Sequence, residues 1–334
     1  MVKLKDIADL AGVSISTVSK ALKDSNEINK ETKAKIIRIA KELNYDIKGQ
    51  LINQSVHKTG SIGVICPEIN SNYYTQLVSS IGAQLTKKGY SYTIAVSDFD
   101  QNKEEQYLTF FGRQNMAGIM FITESSNIQN IVDGIKDIWY TPLILIASEN
   151  NVNNYDCIHI DDNYGVVMAI EHLIQLGHRK IAYIGDYLTE SRLKVYLKVM
   201  SDYGIPVNKS FIRSSDLRFE KCGYQLMQSI LENDEKPTAV FAAYDDIAIG
   251  AMRAIYEKNL SIPKDISIIG IDDVVVTPYL YNALTTISNP IREMAMVSIS
   301  ILSRKIRDKN FTVVQNVVLK PSLIIRETTA KIKA

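Results

Sequence analysis

From residue 61 onward the chain alternates two kinds of hydrophobic pattern. Short, nearly continuous apolar runs bounded by turn formers fall at 61–66, 91–96, 118–122, 143–147, 180–184, 239–242 and 266–271, and each has the length of a buried strand. Between them, apolar residues spaced three and four apart predict amphipathic helices over 74–88, 103–113, 164–176, 191–203, 218–231 and 246–258. Strands apolar on both faces and separated by helices belong in parallel sheets covered on each side, so an α/β body of doubly wound sheets is expected. Residues 61–334 are too many for one such sheet and suit two lobes around a cleft. The polar, turn-forming run 149–154 is the expected passage between them. Ligands in open α/β sheets settle beyond the carboxyl ends of the strands, so the loops after strands hold the candidate ligand residues.

The first residues follow a different pattern and read as an all-α head. Two short helices meet at Gly12, which can take the positive φ that stops the first, and Ser14 can cap the second. Helical spacing packs Val18, Ala21 and Leu22 on Ile7, Ala8 and Leu10, leaving Ile15, Ser16, Ser19 and Lys20 outward. A third helix over 30–44, capped by Asn29, brings Ile36, Ile37, Ala40 and Leu43 to close a small core. The outward face is short and rich in donors, as a helix entering a DNA major groove must be. The competing interpretation is a three-helix bundle used for protein contacts.

Composition changes this picture little. With 334 residues, 46% hydrophobic and 38 Lys+Arg against 37 Asp+Glu, the chain is neither disordered nor fibrous. The charge is uneven, however. Residues 1–60 carry 11 Lys+Arg and 7 Asp+Glu, leaving 27 against 30 for the rest, so a basic head precedes a slightly acidic body. Cys66, Cys157 and Cys222 stand far apart and read as reduced, packed thiols. His57, His159, His172 and His178 lack metal-ligand spacing, and neither a phosphate-binding Gly loop nor a nucleophile elbow is present. No metal, cofactor or catalytic residue is expected. With no apolar run long enough to span a bilayer and a charged start, a cytoplasmic protein without membrane association is expected.

Four separated segments carry a family resemblance. These are Lys5-Asp6-Ile7-Ala8 through Thr17-Val18-Ser19-Lys20, Glu171-His172-Leu173 through Lys180-Ile181-Ala182, Ala243-Tyr244-Asp245-Asp246 through Ala251-Met252, and Ile269-Gly270-Ile271-Asp272-Asp273 with Leu284-Thr285-Thr286-Ile287. In this order they resemble the lactose-repressor (LacI/GalR) family of transcriptional regulators. The resemblance implies an all-α helix-turn-helix head followed by an α/β periplasmic-binding-protein-like body of two doubly wound lobes. It divides the chain into a DNA-binding domain at 1–45, a hinge at 46–60 and an effector-binding and dimerisation domain at 61–334. Lobe 1 then covers about 61–160 and 289–320, and lobe 2 about 161–288 and 321–334. The implied function is a homodimeric repressor of a carbohydrate-utilisation operon that binds a palindromic double-stranded DNA operator and answers to a small sugar effector.

Within that resemblance Ile15, Ser16 and Lys20 read bases, while Ser14, Thr17 and Ser19 hold phosphates; Lys5, Lys23 and Asn29 join the DNA-binding set. Lys20 replaces the commoner Arg and offers a point charge in place of a planar fork. Gln54 falls where the family's hinge inserts a Leu wedge into the minor groove. Leu51, Ile52 and Val56 are alternative wedges, and a plain flexible linker is the competing reading. For the effector, the resemblance points to Arg192 at a helix start and Asp272 at a strand end, with Tyr73 and Tyr74 as an aromatic face. An interlobe salt bridge is the alternative role for the charged pair, and core packing for the tyrosines. Ile146 and Tyr244 stand where sugar-responsive relatives often have Asp and Asn, a departure that implies a ligand that is larger, less hydroxylated or absent. The segment 144–148 is also reminiscent of catabolite-control members that answer to a phosphorylated protein co-repressor. A cytosolic solute-binding protein is the alternative from another class, and an enzyme finds no supporting motif.

Overall fold

The computed structural model describes residues 4–22, 28–43, 60–114, 116–125, 127–135, 141–147, 154–308 and 310–332. The chain divides into two compact units, Met1–Gly60 and Ser61–Ala334. Lys23 and the hinge with Gln54 lie outside the described residues.

In the first unit, α1 (Leu4–Ala11), α2 (Ile15–Leu22) and α3 (Lys30–Glu42) enclose a core of Ile7, Ala8, Ala11, Val18, Ala21, Ile36, Ile39 and Ala40. Gly12 takes φ +68°, and Ser14 Oγ accepts from the Thr17 backbone N–H at 3.1 Å, so the turn and the cap are as the sequence predicts. Two expected core positions differ. Leu10 is exposed, because the 3.6-residue period that buries Ile7, Ala8 and Ala11 turns it outward; Ile39 rather than Ile37 completes the α3 face for the same reason.

The second unit holds two six-stranded sheets of matching design. The first is built from β1 (Ser61–Cys66), β2 (Ser91–Val96), β3 (Gly118–Thr123), β4 (Leu143–Ala147), β5 (Asp156–Ile160) and β11 (Asn316–Leu319). Its strand order is β11-β5-β4-β3-β1-β2, and all pairs are parallel. The second has β6 (Ile181–Asp186), β7 (Ile212–Ser215), β8 (Ala239–Ala242), β9 (Ser267–Asp272), β10 (Thr285–Ser288) and β12 (Ser322–Ile324). Its order is β12-β10-β9-β8-β6-β7, with β12 antiparallel. Period-2 alternation places Ile62 and Val64 of β1 in one core layer and Ile65 in the other, which is why the central strands read as continuous apolar runs.

Helices cover both sheets. In lobe 1, α4 (Asn72–Lys87) and α11 (Ile291–Arg307) share one core layer, while α5 (Gln101–Arg113) and α6 (Ile128–Ile135) cover the other. In lobe 2, α7 (Asp162–Gln175), α8 (Glu190–Asp202), α9 (Phe219–Leu231) and α10 (Asp245–Glu257) surround the second sheet. The chain crosses between lobes after Ile160, after Ser288 and after Leu319. The polar run at 149–154 lies, but for Asn154, outside the described residues; the strands on either side of it, β4 and β5, pair in one sheet, so the expected change of lobe does not occur there. Among the described residues no helix is long and apolar enough to cross a membrane, and no group of His, Cys, Asp or Glu converges as a metal site.

Candidate functional site

A cavity of about 700 Å³ lies between the carboxyl ends of the two sheets. Its walls come from the loops and helix starts after β1, β2, β3, β4 and β5 of lobe 1 and after β6, β7, β8, β9 and β10 of lobe 2, where an open parallel sheet presents ligand groups. All six effector residues nominated from sequence, Tyr73, Tyr74, Ile146, Arg192, Tyr244 and Asp272, line it.

Arg192 sits in the first turn of α8 and forms a fork on Asp162, with Nε 3.0 Å from Oδ2 and Nη2 2.7 Å from Oδ1; Nη1 donates to the Ala243 carbonyl. Burial opposes its charge, but Asp162 and Asp272 outweigh burial and hold the guanidinium firmly protonated. Asp272 ends β9 and accepts from Asn289 Nδ2 at 2.9 Å. Burial pushes its carboxyl up to about 7, with Arg192 pulling it back down. Asp272 and Asp273 take φ +113° and +55°, a strained pair for L residues. Asp273 is anchored by Arg326 at 2.6 Å. Arg192 and Asp272 both belong to lobe 2, so they are not an interlobe salt bridge.

The interlobe bridge is made by residues that sequence reasoning missed. Arg218, the residue before α9, donates Nη1 to Glu68 Oε2 at 2.6 Å and Nη2 to Glu68 Oε1 at 2.9 Å, and its Nε lies 3.3 Å from Asp186 Oδ2. Its guanidinium packs over the rings of Phe99 and Phe219, 5.3 and 4.5 Å from their centroids. Tyr244 donates to the same Asp186 oxygen at 2.6 Å and accepts from the Phe219 N–H, so its ring lines the cavity while its hydroxyl is engaged within lobe 2. A second interlobe bond joins Asn72 Nδ2 to Asp246 Oδ1 at 2.6 Å.

Both tyrosines line the cavity and both pack in or against the lobe 1 core. Tyr74 is buried in the lobe 1 core yet reaches the cavity, where its hydroxyl donates to Glu124 at 2.7 Å; Tyr73 packs against it edge-on at 5.0 Å. Ile146 presents a buried apolar side chain to the cavity. Glu68 follows β1, Glu124 follows β3, Asp162 follows β5 and Asp186 ends β6. Scanning every strand end for charged residues would have found all four.

In the head, Lys5, Ser14, Ile15, Ser16 and Lys20 are exposed, while Thr17 and Ser19 are half-buried. Ser14 and Thr17 bond each other at 2.9 Å, and Asn29 caps α3 by accepting from the Thr32 N–H at 2.8 Å. Hence Asn29 has a structural task of its own besides any contact with DNA.

Comparison with known proteins agrees with both units. Residues 3–46 match the model of bacterial regulatory proteins of the lacI family, and residues 170–329 match a periplasmic binding protein-like domain. The chain is 31% identical to the ribose operon repressor of Haemophilus influenzae over the full length of both. Its fold superimposes on the lac repressor dimer bound to operator and an anti-inducer with TM-score 0.79, at 25% identity and covering 98% of this chain and 99% of that one. A regulator of the same family from Enterococcus faecium with bound ribose aligns at 26% identity and TM-score 0.71, covering 82% of this chain and 100% of its own. The helix-turn-helix head, the paired doubly wound sheets and these full-length similarities together establish that the chain belongs to the lacI family of bacterial regulatory proteins, which are DNA-binding transcriptional regulators.

Proposed function

We propose that the protein is a homodimeric, cytoplasmic repressor of a carbohydrate-utilisation operon, with residues 1–45 as its operator-reading head, 46–60 as its hinge and 61–334 as its effector-binding and dimerisation body. The observation that carries the effector half is that Tyr73, Tyr74, Ile146, Arg192, Tyr244 and Asp272 line one interlobe cavity. There Asp272 can accept from sugar hydroxyls, the N–H groups of Arg192 not engaged by Asp162 or Ala243 can donate to them, and Tyr73 offers an apolar ring face. The relatives named for ribose support D-ribose as the first effector to try.

On the DNA side, Ile15, Ser16 and Lys20 read base edges and Lys5, Ser14, Thr17, Ser19, Lys23 and Asn29 bind or position phosphate contacts, with Gln54 entering the minor groove from the hinge. A second copy is supported by apolar side chains left in solvent: Tyr92 and Ile94 on the edge strand β2, and Val275, Tyr279 and Tyr281 after β9. Effector binding shifts the balance between lobe arrangements and so the spacing of the paired heads. A coupling of about 1–3 kcal/mol would change operator affinity roughly 5- to 150-fold.

The test is to incubate the protein with sheared genomic DNA from its own organism and sequence the retained fragments, with and without D-ribose. A few palindromic sites beside sugar-uptake or sugar-breakdown genes, with retention altered by a sugar, are expected. Dozens of sites across unrelated carbon-use genes would overturn the local-repressor reading.

A further inference from the structure

The charge arrangement of the cleft says more about its ligand than the presence of a cleft does. Among the described residues three cations line the cavity, Arg192, Lys194 and Arg218, and each is bound to a carboxylate of the protein itself. Lys194 pairs with Glu190 one helical turn away at 2.8 Å. Arg218 holds two carboxylates, Glu68 and Asp186. Asp272 and Glu124 line the same cavity, so among the described residues four carboxylates line it with the three cations, and Glu68 and Asp186 hold Arg218 from just behind the wall.

Geometry reinforces the count. A phosphate or carboxylate is gripped best by two parallel N–H groups of one guanidinium. On Arg192 the Nε and Nη2 edge is occupied by Asp162, and on Arg218 the Nη1 and Nη2 edge is occupied by Glu68. The N–H groups left over suit single bonds to hydroxyl oxygens.

The other seat for an anion, a helix N-terminus, is also filled. Each lobe 2 helix that starts at the cleft carries its own acid in the first turn: Asp162 on α7, Glu190 on α8, Glu220 on α9, and Asp245 with Asp246 on α10. The lobe 1 helix α4 has none, but Asp246 reaches across from lobe 2 and accepts from both the side chain and the backbone N–H of its first residue, Asn72.

We infer that the cleft accepts an uncharged or amine-bearing polyol and rejects the phosphorylated or carboxylated form of the same sugar. This rests on the reading of the cleft as a sugar-effector site and narrows its ligand class. Glu68 is the specificity-determining residue, since it occupies the Arg218 fork that a phosphate would otherwise take.

The test uses the full-length protein, with thermal shift and titration calorimetry at constant ionic strength. The probes are D-ribose against D-ribose 5-phosphate, and D-glucose and D-glucosamine against D-glucose 6-phosphate and D-gluconate. At least one neutral or amino sugar should bind, with its anionic counterpart at least about 100-fold weaker, as like-charge juxtaposition in a specific site requires. In Glu68→Gln that ratio should shrink about tenfold as the Arg218 fork is freed, with operator binding as the check that the variant is folded. A phosphate ester that binds as well as its parent sugar overturns this inference and leaves the sugar-effector reading standing. Silence from every sugar while operator binding is intact overturns that reading and this inference with it. The wild-type comparison decides the matter even if the variant does not fold.

Discussion

Arg218 of lobe 2 clasps Glu68 of lobe 1 through two parallel hydrogen bonds of 2.6 and 2.9 Å, across 150 positions of sequence. Both side chains are largely shielded from solvent, and Asp186 adds a second carboxylate to the same guanidinium. With the Asn72–Asp246 bond beside it, this pair clamps the lobes over the cavity. A clamp of this kind must be released, or rebuilt around the ligand, whenever the lobes part. Replacing Arg218 with Ala leaves Glu68 and Asp186 buried without their cation, which should lower stability by about 3 kcal/mol in a urea titration. The ligand-free variant should also show a larger radius of gyration in solution scattering. An unchanged radius would mean that the lobes are held by other contacts.

Arg192 and Asp272 should govern the effector response without governing DNA binding. Each makes charged hydrogen bonds at the cavity wall, and losing one such bond to a ligand costs about 1.5–3 kcal/mol, roughly 10- to 150-fold in affinity. Arg192→Ala and Asp272→Asn should therefore abolish effector-dependent change in operator binding, read by fluorescence anisotropy, while operator affinity without effector stays near wild type. Equal loss of both would assign the two residues to structure alone.

Stability should also carry a pH signature from Asp272. Burial first, with Asp246, Asp162 and Glu124 adding to it, raises this carboxyl to about 7 against an ordinary value near 4. A carboxyl raised in the fold is one whose ionisation opposes folding. Its contribution is most favourable below about pH 4 and is lost as pH climbs to about 7, at up to roughly 1.4 kcal/mol per pH unit. Glu104, also pushed up to about 7 by burial, acts in the same sense. Subtracting the wild-type profile from that of Asp272→Asn isolates Asp272: the stability difference should grow in the variant's favour from pH 4 to 7 and level off above. A flat difference would show that Asp272 titrates normally.

What could be seen in the sequence follows from which surfaces each segment buries. The run 61–66 is legible because both faces of β1 meet core, whereas Ile212-Arg213-Ser214-Ser215 forms an edge strand with half-exposed side chains and reads as loop. Strand β5 hides behind Asp156 and His159, polar residues inside a buried strand; Asp156 is matched by Lys305 at 2.6 Å and by the Gln315 N–H. At the site, Asp272 lies in one of the four segments with a family pattern, and Arg192 is reached by extending the resemblance beyond them. Glu68 and Arg218 lie outside those segments, and their pairing depends on how the two lobes meet, which no local pattern encodes.

Two glycines let α9 and α10 touch backbone to backbone. A Cβ on Gly223 would overlap the Ile247 carbonyl, and one on Gly250 would overlap the Glu220 carbonyl. Neither obstacle is a side chain that can rotate aside. Gly223→Ala should thus cost about 3 kcal/mol in urea despite the gain in helix propensity. Because these helices start at the cleft beside Arg218 and Tyr244, the same variant should also weaken the effector response; a stable Gly223→Ala protein would mean that the helices can separate cheaply.

In the head, capping and base reading are separable. Ser14 Oγ holds the Thr17 N–H at the start of α2, so Ser14→Ala should lower stability of the head by about 1 kcal/mol and weaken binding to all DNA sequences alike. Lys20 lies exposed in the last turn of the same helix and does not belong to the core. Lys20→Ala should leave the head folded and reduce the ratio of operator to non-specific affinity by about 1–3 kcal/mol, whereas Lys20→Arg should shift which base is preferred by supplying the planar fork that Lys lacks. The measurement is anisotropy against recovered operators and scrambled duplexes at several salt concentrations. Wild type should lose affinity steeply with salt. If Lys20 only meets a phosphate, Lys20→Ala will lower the slope by about one and weaken both kinds of duplex equally, and the base-reading assignment fails.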